Sequence, residues 1–235
     1  MTRDAAPSAR RLHIGAPLPG KFFERGAEHV ARDLLGAVLR CRTEEGTCSG
    51  RIVETEAYLG EHDPACHAVA GRTARTWHLF GPAGVAYVYL IYGMHWCFNA
   101  VVQAEGIGSA VLVRALEPLE GLPLMRARRP RARRDRELTN GPGKLCAALG
   151  IARMHDGVAL QRGALTVHRG SPVADSDVIV TPRIGITQAA DWPLRWLVAD
   201  NAYVSATPTT FARRSLGGEC TKGAPKGALR VRLDE

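Results

Sequence analysis

Aromatic residues are scarce in this chain, cysteines are never closely paired, and long apolar runs are missing. Each shortage removes a class of protein. Aromatics make up 6% of the 235 residues, so a cluster of them carries information. The six cysteines (Cys41, Cys48, Cys66, Cys97, Cys146 and Cys220) form no CxxC pair, which argues against a zinc ribbon and against a dense disulfide framework. Reduced thiols are the expectation. There is no HExxH motif and no GxxxxGK[ST] loop, so neither a zincin-type hydrolase nor a nucleotide-triphosphate site is signalled. No apolar run approaches the roughly 18 residues of a membrane span, and no charged-then-apolar leader pattern opens the chain. A soluble, intracellular protein is expected, without internal repeats.

Acidic residues are also in deficit. Thirty-one Lys and Arg against 23 Asp and Glu leave a net charge of +8, which favours a nucleic acid or another anionic surface as partner. The apolar fraction of 46% suffices for one sizeable core. The expected organisation is one domain over residues 18–208, preceded by a flexible lead-in over 1–17 that contains Pro7 and Pro17, and followed by a basic tail over 209–235.

Local patterns supply the elements. Residues 27–35 place Val30, Ala31, Leu34 and Leu35 at helical spacing and stop at Gly36. Residues 37–42 and 47–59 read as two strands of a hairpin across Glu44-Glu45-Gly46. Asp63-Pro64 has the form of a cap followed by a first-turn proline, placing His67 in a short helix. Residues 85–92 and 95–102 are strands flanking Tyr92-Gly93-Met94, where glycine permits a tight turn. A further strand is expected over 110–116, then helical tendency over 117–128 and a helix over 144–149 closed by Gly150. Short strands near 164–169, 177–184, 194–198 and 202–206 complete a compact mixed sheet or barrel.

Chemistry concentrates between residues 50 and 99. In a period-2 strand Glu54, Glu56 and Tyr58 share one face, with alternate residues roughly 6.6 Å apart. Strand carboxylates are by default exposed, but a neighbouring histidine and tyrosines make Glu56 the candidate to hold or deprotonate a water. His62 and His67 could be imagined as metal ligands, yet no ligand spacing supports them and no metal or other cofactor is expected. Tyr87 and Tyr89 share a strand face. Tyr92 sits at a hairpin tip, where an aromatic could wedge into a DNA stack. Asn99 is a polar residue among apolar neighbours, either a sheet-edge hydrogen bonder or a selectivity element. Seven arginines fall between Arg126 and Arg136, including Arg129 and Arg134, and suit phosphate contact in so basic a chain. Beyond them, Thr139 to Lys144 leads into a helix start where backbone N–H groups and Lys144 could grip a phosphate.

The segments RIVETEAYLG with the AxH that follows, YVYLIYGM with CFN, LVRALEPLEG and GPGKLCAALGI occur in order between about residues 18 and 206. This arrangement resembles the alkyladenine (3-methyladenine) DNA glycosylase family of methylpurine-glycosylase type. The resemblance implies an α+β fold: a single mixed domain on a curved antiparallel sheet or partial barrel, with surrounding helices and a protruding β-hairpin that enters the DNA minor groove. It implies that Glu56 is the general base, with Arg114 and the backbone carbonyl of Ile184 also holding the attacking water. Tyr58 and Tyr89 would sandwich an extruded base, with His67 at its edge and Asn99 opposing the amino group of normal guanine. Tyr92 would intercalate, with Gly93 and Met94 beside it on the DNA. The implied reaction is hydrolytic release of alkylated or deaminated purines from double-stranded DNA by a monomeric, monofunctional enzyme without cofactor, in the cytoplasm with the nucleoid or in a nucleus. A non-catalytic nucleic-acid-binding module is the alternative from another class, and a metal-dependent hydrolase through His62 or His67 a weaker one.

Overall fold

The computed structural model describes residues 14–205, and the tail expected over 209–235 lies outside them, as do Cys220 and the first 13 residues of the lead-in. Residues 14–17, by contrast, run along a strand: the Gly15 amide donates to the Arg169 carbonyl at 2.8 Å and Pro17 bridges His168.

Among the described residues, eight strands form one antiparallel sheet around which five short helices pack. The strands are β1 (Val38–Thr43), β2 (Gly46–Tyr58), β3 (Ala86–Ile91), β4 (His95–Val102), β5 (Ser109–Glu120), β6 (Leu165–His168), β7 (Val178–Thr181) and β8 (Arg195–Val198). Their order is β3-β4-β5-β2-β1-β6, with β8 joined to both β2 and β7. The 13-residue β2 is the axis of this sheet. One edge lies against β5, while the other is shared, residues 46–51 pairing with β1 and residues 54–56 with β8. This branching curls the sheet. Bulges sharpen the bend: between β2 and β5 the register skips Val53 on one strand and Arg114 on the other.

The helices are α1 (Gly20–Phe23), α2 (Ala27–Asp33), α3 (Leu122–Arg128), α4 (Arg136–Thr139) and α5 (Pro142–Leu149). The apolar stripe of α2 buries Ala27, Val30 and Ala31 against β2, and the Thr55 hydroxyl ties strand to helix by donating to the Ala31 carbonyl at 2.8 Å. Just past α2 the chain turns at Gly36 with φ +87°, where a Cβ would lie 2.1 Å from the Ser171 carbonyl oxygen, so only glycine fits. Helix α5 packs on β4 and β5 and buries Leu145, Cys146, Ala148 and Leu149. The main core holds Phe23, Leu34, Leu39, Ile52, Phe98 and Leu116, all essentially solvent-free. A smaller apolar cluster around Cys66, Leu79, Phe80 and Tyr87 lies beneath Tyr58 and Tyr89.

Three expectations change. Residues 117–120 continue β5 instead of starting a helix, because they pair with β2 at Ser49 to Arg51; helix α3 begins only after Gly121. The segment after Asp63-Pro64 forms a 3₁₀ turn over His67–Ala70, with the Asp63 carboxylate bonded to the Ala65 amide at 3.0 Å. Residues 202–205 form no strand; Ser205 instead bonds a buried carboxylate. Among the described residues, no helix is long and apolar enough to cross a membrane.

Candidate active site

Glu54 and Glu56 project from β2 on the same side, and both are fully buried, contrary to the default for strand carboxylates. Burial of two carboxylates demands compensation. The bulge at Arg114 delivers it: the Arg114 Nε donates to Glu54 Oε1 and its Nη1 to Glu56 Oε2, both at 3.1 Å. Glu54 receives further donors, from Arg195 Nε at 2.6 Å, the Ser205 amide at 2.7 Å and the Ser205 hydroxyl at 2.8 Å. The pair of glutamates is thus matched by a pair of arginines. Arg114 is the one that also lines the cavity.

Glu56 is held differently. Its Oε1 accepts from the Ile184 amide at 2.8 Å, and its Oε2 accepts from the Tyr58 hydroxyl at 3.0 Å as well as from Arg114. Burial pushes its pKa above the ordinary carboxyl value, while Arg114, the Ile184 amide and the Tyr58 hydroxyl pull it part of the way back. A carboxylate so placed is a stronger base than one in water and remains oriented. Burial, and then the adjacent Glu56, raise the Tyr58 pKa well above that of a free phenol, so Tyr58 stays a donor. Arg114 loses by burial, but Glu56 and Glu54 outweigh that loss and keep it charged.

A cavity of about 350 Å³ opens in front of this group. That volume lies at the lower end of the range for small-ligand sites, about 300–1,000 Å³. Tyr58, His67, Tyr89, Asn99, Arg114 and Ile184, all expected from the sequence, line it. The structure adds Tyr87, Leu79 and Cys97 to the lining. Tyr87 and Tyr89 stack with centroids 5.2 Å apart, as their shared strand face predicts, and the His67 ring meets Tyr89 edge-on at 4.5 Å. His67 Nδ1 is hydrogen-bonded to the Tyr87 hydroxyl at 2.9 Å, and burial, followed by the nearby Arg75, lowers its pKa. A neutral imidazole with one nitrogen engaged by Tyr87 leaves Nε2 for a ligand edge. The Asn99 amide donates to the Tyr87 carbonyl at 3.2 Å across the β3–β4 pair.

The β3–β4 hairpin carries its tip to the mouth of this cavity. Tyr92 and Gly93 both have positive φ, +53° and +69°, and the Met94 amide closes the turn on the Ile91 carbonyl at 3.2 Å. Two positive φ values are the mark of a type I′ turn, whose twist matches the flanking strands. Tyr92 is 79% exposed and Met94 69%. Two large apolar side chains thus stand in solvent beside a pocket.

The arginine run divides. Arg126 pairs with Asp135, and Arg128 turns inward to Glu45, Thr43 and the Ala148 carbonyl. Arg129 is half-buried and donates to the Glu137 carbonyl at 3.3 Å. Arg131, Arg133, Arg134 and Arg136 are exposed. Lys144 bonds Asn140 at 2.9 Å, beside Pro142 and Gly143 at the cavity edge. Among the described residues, no group of three or more His, Cys, Asp or Glu side chains could hold a metal ion.

Sequence reasoning missed Glu54, Arg195 and Ser205 as parts of this network. Of these, Glu54 was legible as the same-face neighbour of Glu56; Arg195, on β8, and Ser205, beyond it, come from 141 and 151 positions further along the chain.

A family model described as methylpurine-DNA glycosylase matches residues 21–202. A protein of Myxococcus xanthus is 52% identical over 200 residues, covering 84% of this chain and 97% of that relative. Proteins of Burkholderia lata (47% over 201 residues, 83% of this chain and 94% of the relative) and Rubrobacter xylanophilus (50% over 184 residues, 78% and 94%) are similar on the same scale. All three bear the name "Putative 3-methyladenine DNA glycosylase".

Proposed function

Because the chain belongs to the methylpurine-DNA glycosylase family, we propose that it flips alkylated or deaminated purines out of duplex DNA and hydrolyses their N-glycosidic bond with a water activated by Glu56. The observation that carries this reading is the buried, fully oriented Glu56, which is not itself in the cavity lining but is bonded to three residues that are, Tyr58, Arg114 and Ile184, in an aromatic cavity bordered by a protruding hairpin.

Chemistry at a sugar carbon inside a duplex requires the nucleotide to leave the stack, at a cost of a few kcal/mol that is lower for damaged or mismatched bases. Tyr92 fits the space such a nucleotide would vacate, since its side chain is exposed at a turn adjoining the cavity. Inside, the faces of Tyr58 and Tyr89 return roughly 1–3 kcal/mol per stacked base, and a cationic alkylpurine gains further attraction from them. His67 meets the base edge, and Asn99 narrows the space for an extra exocyclic amino group.

Each oxygen of an ionised carboxylate has two lone pairs. Glu56 Oε1 spends one on the Ile184 amide and keeps one for a water. As the glycosidic bond breaks, its electrons leave with the purine and the sugar becomes oxocarbenium-like; the water oxygen bonds to the anomeric carbon and Glu56 takes its proton. The products are a free base and an abasic site. This route is that of a monofunctional hydrolase: the nucleophile is water, and no Schiff base forms with the sugar. Exposed arginines of the 131–136 stretch and the start of α5 supply phosphate contacts, and a monomer suffices for every step.

The test is base release from duplexes that each carry one defined lesion, under single-turnover conditions with EDTA throughout, comparing the wild type with Glu56→Gln. General-base catalysis is worth about 10²–10⁴-fold, so the variant should lose at least ~100-fold in rate while still binding DNA. Equal rates would remove Glu56 from the mechanism. Tight DNA binding without release from any lesion would favour a binding module.

A further inference from the structure

Arg183 lies in the loop after β7, is itself buried, and is absent from the lining of the cavity. Its partners converge on it from two segments, the end of β2 and the turn at Asp63. Its Nη1 donates to Asp63 Oδ2 at 2.5 Å and to the Ala57 carbonyl at 3.0 Å, its Nη2 donates to Asp63 Oδ1 at 2.8 Å, and its guanidinium carbon lies 4.7 Å from the Tyr58 ring centroid. Both members of the ion pair have solvent-free side chains. Asp63 in turn accepts from the amides of Leu59 at 3.2 Å and Ala65 at 3.0 Å, which fixes the turn leading to His67. The residue after Arg183 is Ile184, whose amide orients Glu56.

We propose that Arg183 and Asp63 form a positioning clamp that holds the Ile184 amide on Glu56, the Tyr58 ring at the cavity wall and the His67 turn in one fixed arrangement. The planar fork of arginine can satisfy a carboxylate and a carbonyl at once while its face covers a ring; a lysine ammonium cannot. Because Arg183 sits behind Tyr58 and not in the cavity, it touches no ligand there and acts on the site through these neighbours and through its charge. For catalysis the clamp rests on the glycosylase reading above and deepens it, since it sets the poise of the same base.

Glu56 is the reporter. It is faced by Arg114 from β5, by Tyr58 and Glu54 from β2, by Arg195 from β8, by Cys97 from β4 and by the Ile184 amide, with Arg183 near enough to act on it through space. The Ile184 hydrogen bond stabilises the ionised form, so freeing that loop raises the Glu56 pKa. Through-space charge effects predict otherwise. Arg183→Lys conserves the charge and would change nothing, and Asp63→Asn removes an anion and would lower the pKa. An upward shift in both variants is therefore the signature of lost positioning.

The experiment is a ¹³C NMR titration of the full chain labelled at the Glu side-chain carboxyl, with the Glu56 signal assigned by its disappearance in Glu56→Gln. Arg183→Lys and Asp63→Asn are each expected to raise the Glu56 midpoint by about one pH unit. The acid limb of single-turnover base release should move with it. Arg128→Lys, which disturbs a comparably bonded arginine that does not line the cavity, should lose thermal stability without moving the midpoint. An unshifted or lowered midpoint in either variant, with native structure retained, overturns the clamp. Should one variant not fold, the other decides the matter. If the wild type releases no base while the midpoints still rise, the glycosylase reading falls and the clamp stands.

Discussion

Replacing Arg114 by alanine should destabilise the protein in a manner that depends on pH. The buried network contains two carboxylates and two guanidinium groups, so the substitution leaves Glu54 and Glu56 with Arg195 alone. At an effective dielectric of ~20, each carboxylate loses about 4 kcal/mol of attraction at contact distance, partly offset because Arg114 itself no longer has to be desolvated. The net cost expected for removing one member of a buried charged network is about 3–5 kcal/mol, or roughly 10 °C in Tm for a domain of this size. Arg114 is the strongest influence that lowers the pKa of Glu56, which is already raised by burial. A carboxyl with a raised folded pKa contributes stability that is present below its unfolded pKa and lost as pH rises through the folded pKa. Without Arg114 that folded pKa rises further, so the deficit should be largest near neutrality and shrink as the pH falls through the new value and Glu56 takes up a proton. Urea denaturation of wild type and Arg114→Ala at about pH 7.5 and about pH 5.5 measures this directly. A deficit under about 1 kcal/mol near neutrality, or one that is equal at both pH values, would refute the account of Arg114 as the counter-charge.

Other outcomes follow from the same geometry. Tyr92→Ala should weaken binding to a lesion duplex by about 1–3 kcal/mol and abolish its advantage over undamaged DNA in equilibrium titrations; unchanged discrimination would rule out a wedge. Neutralising Arg131, Arg133, Arg134 and Arg136 together should flatten the log–log salt dependence of DNA binding by about 0.9 for each phosphate that is no longer neutralised, and an unaltered slope would return them to solvated surface. His67 should titrate below an ordinary imidazole, because burial lowers its pKa; its NMR midpoint lying at or above that of an exposed histidine would contradict the neutral ring bonded to Tyr87.

What could be read from the sequence was whatever periodicity and turn chemistry encode locally. Alternation along β2 placed Glu54, Glu56 and Tyr58 on one face, and Gly93 marked the turn that exposes Tyr92. Glycines at 36 and 150 marked helix ends. Boundaries failed where pairing overrode propensity, as at residues 117–120, whose partners on β2 lie some seventy residues away. Bulges are equally silent: nothing in the local pattern announces that Arg114 steps out of register, although this step is what lets one guanidinium reach two carboxylates. The burial of Glu54 and Glu56 was not legible either, since their counter-charges come from positions 114 and 195. In the arginine run, composition could not separate Arg128, turned inward, from Arg131, left in solvent.

The bond between Ser205 and Glu54 spans 151 positions, and it orders events during synthesis. A ribosome adds about 5–20 residues per second, so the hairpin, the aromatic walls and both glutamates emerge well before the donors that neutralise them. Until position 205 is free of the exit tunnel, Glu54 lacks two of its hydrogen bonds and the carboxylate pair cannot settle. A truncated product stopping short of that serine would carry every residue that lines the cavity, yet lack the electrostatic balance beneath them. The settled carboxylate pair is thereby tied to synthesis passing position 205.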